Sequence, residues 1–486
     1  MPLGHAMIFP KLAKHTMSAP QFVSSNDVRT RFSLAMSQMY RQEVPQYGTL
    51  LQLVSEVNAR TLAAQPGLAG QLSEAGEIER LDLERHGAIR LGTAAELVTM
   101  RRLFAVMGME PVGYYDLSVA GVPVHSTAFR PVADAALAHN PFRVFTSLLR
   151  LELIADEALR RQAAEILARR QIFTARTLAL IARFESAGGL EAHEADEFVT
   201  EALQTFRWHA EATVDGDTYD KLQKAHRLIA DVVCFKGPHI NHLTPRTLDI
   251  DAAQAAMPGC GIAAKDLIEG PPRRRCAILL RQTSFKALEE KVLFQGGDGQ
   301  RSGTHTARFG EIEQRGIALT RAGRQRYDQL LATVRDAAIA NESAAAYVQR
   351  LAQAFESFPD DYDTLRRQGL GFFRYTLTAQ GKASAGLGGD EAASPSDSAL
   401  LEAWIAEGLV SAHPIVYEDF LPVSAAGIFQ SNLGGTERRH YAASEDQAAF
   451  EAALGAPVHD EIALYEEAQA RSIAQVRAAL CAQVFA

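Results

Sequence analysis

The feature that most constrains this chain is an order of elements that occurs twice. Near residues 80–92 the run LDLERHGAIRLGT is short and ends in Gly-Thr, and a helix start, AAELVTMRRLFAVMGM, follows at once. VGYYDLSVAGVPVHSTAFRP then mixes β-branched and aromatic residues with Gly and Pro, the pattern of strands broken by turns. The order returns over 232–318. VVCFKGPHINHLTPRTLDI reads as a strand, 251–268 as a helix, and RRRCAILLRQTSF, EEKVLFQ and THTARFGEIEQRG as strands. Two such units imply an internal structural duplication, carried by element order and not by matching residues.

What lies around the units is helical. Leu34, Met36, Met39, Leu50, Leu51, Leu53 and Val54 recur at helical spacing over 26–64. ALRRQAAEILARR, TARTLALIARF, EADEFVTEALQTF and YDKLQKAHRLIADVV repeat an Ala/Leu/Arg periodicity that predicts four or five inserted helices. The expected organisation is α+β. Residues 1–25 form an unstructured N-terminus, 26–142 a helix and the first unit, 143–231 the helical insertion and 232–330 the second unit. Residues 331–486 are helical, with a Gly/Ser-rich loop, GKASAGLGGDEAASPSDS, and a segment that closes over a site. With 47% hydrophobic residues the chain can bury a real core.

Charge and cysteine usage narrow the function classes. The formal net charge of -9 gives no global attraction to nucleic acid or anionic lipid, so an anionic substrate would need local arginines. No stretch reaches the ~18 apolar residues of a membrane span. The four cysteines form no CxxC pair and no export signal precedes them, which predicts a reduced, cytoplasmic protein.

Candidate chemistry sits in the predicted strands. In HGAIR, His86 and Arg90 are four apart and share one strand face. That pairs a metal-binding imidazole with a guanidinium able to grip a carboxylate by two parallel hydrogen bonds. HINHLTPRTLD offers His239 and His242, three apart and so on opposite faces if extended; His242, seven before Asp249 where a strand runs into a turn, is the candidate ligand, and His239 the structural one. FGEIEQRG offers Glu311 and Glu313 on one face, which demands a metal, a cation or solvent, with Arg315 as a possible partner. Two imidazoles and a carboxylate from separate strands make a facial triad suited to non-haem iron(II). Each residue alone is equally consistent with a surface or packing role. Arg273–Arg275 reads as a solvated strand edge, the Gly-rich LFQGGDGQ as a turn, and His125, near Arg130, as a residue that could support the site.

HGAIRLGT, GPHINHLTPRTLDID, THTARFGEIEQRG and VYEDFLPVSAAGIFQSN together resemble the 2-oxoadipate dioxygenase/decarboxylase family, from about residue 25 to the C-terminus. The resemblance implies a vicinal-oxygen-chelate-like fold, two βαβββ modules forming a curved sheet around a metal. It implies His86, His242 and Glu311 as ligands of Fe(2+), and Arg90 as the catalytic, substrate-binding arginine. FGEIEQR also resembles the FLEVIQR strand of hydroxyphenylpyruvate dioxygenase, and the alignment selects Glu311 over Glu313. The family's substrate-contacting valine maps to Val423, with Val416 as the alternative. The implied reaction takes 2-oxoadipate and O2 to 2-hydroxyglutarate, the D enantiomer, and CO2, in lysine breakdown. The rivals are an isomerase or extradiol-type dioxygenase on the same scaffold, or a binding protein without catalysis.

Overall fold

The computed structural model describes residues 21–296, 301–306, 308–336, 342–384, 397–421 and 445–481. It is a mixed α+β structure. The segment predicted to be unstructured, 1–25, falls outside these residues except for 21–25, where Ser24 caps the first helix by accepting from the Asp27 amide. Helices α1 (Ser25–Glu43), α2 (Pro45–Ala64) and α3 (Pro66–Glu74) precede strand β1 (Arg85–Leu91). Helix α4 (Ala94–Val106) follows, capped by Thr93 and ended at Gly108, where φ is +62°. Then come β2 (Glu110–Asp116), β3 (Val124–Arg130), the short α5 (Asp134–His139) and β4 (Arg143–Leu149).

Strand β4 corrects the boundary expected at residue 143. All seven of its residues are buried, so it shows no inside-outside alternation and its apolar run is easily taken for the start of the insertion. It lies between β1, to which it is parallel, and β3, to which it is antiparallel. The helical insertion begins after it, with α6 (Glu157–Ala168), α7 (Ala175–Ala187), α8 (Ala192–Leu203), strand β5 (Glu211–Asp215), α9 (Gly216–Ala225) and α10 (Arg227–Val233).

The second unit opens with β6 (Leu243–Pro245) and α11 (Ile250–Ala256). The predicted helix over 251–268 stops early: Pro258 lacks the amide N–H of an interior helical residue, Gly259 disfavours continuation, and Gly261 takes a left-handed conformation with φ +72°. Residues 264 and 269 instead form antiparallel bridges to 285 and 282, along β7 (Leu280–Ser284). Strands β8 (Glu289–Gln295) and β9 (Arg301–Thr306) were expected in this unit; they join β5 of the insertion in a separate three-stranded sheet. Only Val292 and Phe294 of β8 are buried, so this hairpin packs by one face, unlike the fully buried central strands. Strand β10 (Glu311–Arg315) pairs with β7. The described residues of the C-terminal part are mostly helical, including Arg321–Asp336 and Glu461–Cys481, and include the antiparallel pair β11 (Phe373–Leu377) and β12 (Val410–Pro414).

The principal sheet runs β2-β3-β4-β1-β6. Strand β6 is antiparallel to β1, with His86 opposite Thr244. Just beyond it, Arg246 bridges Glu313 in parallel and the Thr247 amide donates to the Glu313 carbonyl at 2.7 Å. The path β1-β6-β10 therefore brings both units together. Ile89 and Leu91 turn to the core built with α1, α2 and α4, whereas Ala88 joins the opposite core with Phe145 and Phe420. By the period of two, His86 and Arg90 share the face of Ala88.

Candidate metal centre

Each of the three strands along that path, or the residue leading into it, supplies one side chain. His86 comes from β1, His242 from the residue before β6, and Glu311 from the first position of β10. One potential ligand atom from each lies within 4.8 Å of the others. All three residues are buried to 1% exposure or less. The imidazoles meet edge to face with centroids 5.4 Å apart, and Phe420 and Phe309 close against His86 and His242 respectively.

Two glycines permit this approach. A Cβ on Gly87 would come within 2.6 Å of Ile240 Cδ1 and 2.9 Å of the His242 carbonyl oxygen. A Cβ on Gly310 would lie 2.0 Å from Phe285 Cε1. Each glycine neighbours a candidate ligand, so backbone closeness is part of the site. Tyr40 of α1 adds a clamp: its hydroxyl lies 2.9 Å from the Asn241 carbonyl oxygen and 2.7 Å from that of Phe309.

The polar atoms sort into held and unpartnered. Glu311 Oε1 accepts from Gln282 at 2.6 Å and Thr244 at 3.2 Å, while Oε2 has no hydrogen-bond partner. Both ring nitrogens of His242 are buried without partners. His86 Nδ1 lies 2.9 Å from Glu313 Oε2 and Nε2 lies 3.2 Å from Glu311 Oε1, but neither contact is aligned as a hydrogen bond. Buried polar atoms left this way cost free energy, and a divalent cation would satisfy one nitrogen of each imidazole together with Glu311 Oε2. The donor set, two imidazoles and one carboxylate, suits a transition metal.

The electrostatics agree with such use. Burial and the neighbouring His86 hold His242 well below the ordinary histidine range, so it is the neutral imidazole a metal requires. Burial alone would lower His86, but Glu313 and Glu311 raise it above its usual value. Burial would raise Glu313; Arg315 and His86 bring it down to about 2. Glu313 is therefore an ionised neighbour of His86, gripped by Arg315 at 2.9 and 2.8 Å, and not the solvated carboxylate considered from sequence.

Beneath the site lies a buried ionic lattice that sequence reasoning missed. Glu84 faces Arg143 at 2.9 Å and Arg246 at 3.1 Å, with Arg80 and Arg315 each at 3.6 Å. Glu418 bonds Arg80 at 2.7 Å and also Arg143, and Asp419 pairs two-pronged with Arg130 at 2.6 and 2.9 Å. The available signal was the acidic pair inside the apolar motif VYEDF.

The other sequence candidates are placed as follows. Arg90 lies on the face of His86 and donates through Nη1 to Asp231 at 2.7 Å. His239 is buried against Trp208, with Nε2 3.2 Å from Asp231, outside the triad. His125 packs against Phe450 and Tyr114. Val423 lies outside the described residues. Val416 is half-buried, bridges Ile317 and lines a cavity of about 340 Å³ with Arg273–Arg275 and Arg315. No described helix is long and apolar enough to cross a membrane.

The model of the 2-oxoadipate dioxygenase/decarboxylase family matches residues 32–432. The chain belongs to this family. A Pseudomonas putida enzyme called 2-oxoadipate dioxygenase/decarboxylase is 59% identical over 460 residues, 94% of this chain and 97% of its own. An enzyme of the same name from Mycobacterium tuberculosis is 39% identical over 461 residues, covering 93% and 98%. The crystal structure of hydroxyglutarate synthase from Pseudomonas putida in complex with 2-oxoadipate superposes with a TM-score of 0.87 at 57% identity, covering 95% of this chain and all of that one. Family membership makes this chain an enzyme and removes the non-catalytic rival.

Proposed function

We propose that this chain is an Fe(2+)-dependent dioxygenase converting 2-oxoadipate and O2 to D-2-hydroxyglutarate and CO2, acting in lysine breakdown in the cytoplasm. The observation that carries the reading is the buried constellation of His86, His242 and Glu311, with unpartnered donor atoms, in a chain 57% identical to a structure holding 2-oxoadipate. These three residues would hold the iron, within a curved sheet built from two βαβββ modules that meet at β1 and β6. Iron(II), when bound, supplies the oxygen chemistry and a place for the 2-oxo acid.

The chain's own residues do the rest. Gln282 and Thr244 fix one oxygen of Glu311 and leave the other for the metal. Glu313, beside Nδ1 of His86, orients the ring so that Nε2 faces inward, the usual role of a carboxylate behind a ligating histidine. Phe309 and Phe420 help exclude water. Arg90, two strand positions of the same face beyond His86, grips the distal carboxylate and so selects chain length, with Val423 also against the substrate. Both oxygen atoms enter the product: one joins the former keto carbon as a carboxylate oxygen, the other becomes the hydroxyl on the adjacent methylene.

The test is oxygen uptake with 2-oxoadipate, with and without added iron(II). Stoichiometric uptake and CO2 release that require iron support the reading. Turnover without oxygen consumption would indicate an isomerase, and activity restored by zinc alone would sink the dioxygenase assignment.

A further inference from the structure

Helix α10 is almost wholly apolar. From Leu228 to Val233 every residue is buried, and five of the six are Leu, Ile, Ala or Val; the sixth is Asp231. A lone carboxylate in such a turn must be fully paired. Asp231 Oδ2 accepts from Arg90 Nη1 at 2.7 Å. Its Oδ1 is 3.0 Å from His305 Nε2 and 3.2 Å from His239 Nε2. The Tyr219 hydroxyl is 2.9 Å from His305 Nδ1. An ionised Asp231 can only accept, so Nε2–H of His305 donates to it, while the Tyr219 hydroxyl, 3.4 Å from the Thr304 carbonyl oxygen, lies against the other ring nitrogen. Trp208 stacks parallel to His305 and meets His239 edge on, so both rings are held from the side. Burial would raise the Asp231 carboxyl, but His239 and Arg90 keep it well below the usual range, and it stays ionised.

We infer that Asp231 is a positioning residue for the reaction: it holds the Arg90 guanidinium at the angle needed to receive the distal carboxylate of the substrate. This rests on the role proposed above for Arg90. An arginine side chain has several rotatable bonds, and a fork that recognises a carboxylate works only when its plane is set. Asp231 engages the guanidinium through one terminal nitrogen, Nη1. The Oδ1 of Asp231 is held by His305 and flanked by His239 while Oδ2 meets Arg90, so the constraint passes from His305 through Asp231 to Arg90. The helical insertion thereby gains a role: α10 delivers Asp231 to Arg90 of β1, and α9 delivers Tyr219 to His305, the other partner of Asp231.

The experiment measures kcat/KM for 2-oxoadipate and for 2-oxohexanoate, which has the same length but no distal charge. Their ratio is independent of how much enzyme is folded or loaded with iron. Asp231→Ala should lower the ratio about tenfold. Asp231→Asn keeps an acceptor oxygen and should lower it less, by roughly threefold, which guards against a variant that does not fold. In an Arg90→Ala background, Asp231→Ala should change the ratio by less than roughly twofold, because its effect runs through Arg90. Calorimetric binding of 2-oxoadipate to zinc-loaded protein without oxygen should follow the same order. If Arg90→Ala lowers the ratio while both Asp231 variants leave it within roughly twofold of wild type, Asp231 is only structural and the inference fails. If Arg90→Ala itself leaves the ratio unchanged, the reading of Arg90 fails and takes the inference with it.

Discussion

Glu311 and Glu313 are two apart on one strand, both fully buried and both within 3.2 Å of His86, yet the proposed roles are unequal. Glu311→Gln removes a proposed ligand. Glu313→Gln leaves the ligands intact but replaces the anion beside His86 Nδ1 by an amide that can turn either its oxygen or its NH2 toward the ring. Loss of such a supporting carboxylate typically lowers metal affinity by about 10- to 100-fold, or ~1.4–2.8 kcal/mol. The same change weakens the two bonds from Arg315, whose Nη1 also donates to the carbonyls of Tyr417 and Asp419 at 2.8 and 3.0 Å. A buried charge losing its partner costs about 3–5 kcal/mol. The remaining bonds to Arg315 place the expected stability loss at the low end of that range. The assay is anaerobic iron(II) titration against a competing chelator, with a thermal melt of each apo variant to fix a temperature at which all are folded. Glu313→Gln should bind iron weakly but measurably, and Glu311→Gln should not bind it within the range of the assay. Metal retained by Glu311→Gln and lost by Glu313→Gln would refute the assignment and shift the ligand by one turn of the pleat.

Three further outcomes follow from other parts of the structure. Arg90→Ala should weaken binding of 2-oxoadipate by about one to two orders of magnitude, the worth of a charge-assisted pair, with iron content unchanged; equal damage with an uncharged 2-oxo acid would show that Arg90 serves the fold or the metal. Gly87→Ala should lower both thermal stability and iron affinity, because its Cβ would push on Ile240 and on the His242 backbone; a cost of about 1–3 kcal/mol is expected, and unchanged metal binding would mean that the β1-β6 approach does not set the site. His125 is held at about 4 by burial and Arg150. Between that value and ~6.5 the unfolded chain binds the extra proton and the folded one does not, so stability rises with pH across this window and is lost as pH falls. His125→Gln should flatten the stability profile between about pH 4 and 6.5, by up to roughly 3 kcal/mol at the acid end; a profile unaltered in denaturant titrations would remove His125 as a cause.

Much of the site was legible because its residues announce themselves over short range. The period of a strand puts His86 and Arg90 on one face, and β1 has that face. The resemblance of four motifs named the three proposed ligands, and they converge within 4.8 Å. What local pattern missed was partnership. Strand β4 is buried on both faces and so carries no alternation, while β8 and β9 look like strands of the second unit but pair with β5. Asp231 and His305 lie 74 residues apart, and Glu84 and Glu418 meet at Arg143 from opposite ends of the chain.

The sequence by itself determined which residues could do this chemistry and which face of a strand each would occupy, since those depend on side-chain identity and on backbone periodicity a few residues long. Only the tertiary structure decided that Glu313 lies between His86 and Arg315, that Arg90 pairs with Asp231, and that a lattice of buried charges lies behind the triad. Those decisions rest on charge pairing in a low-dielectric interior, where an ion is tolerated only if a partner arrives from another element. Which element arrives is a property of the packed fold and of no single stretch of chain.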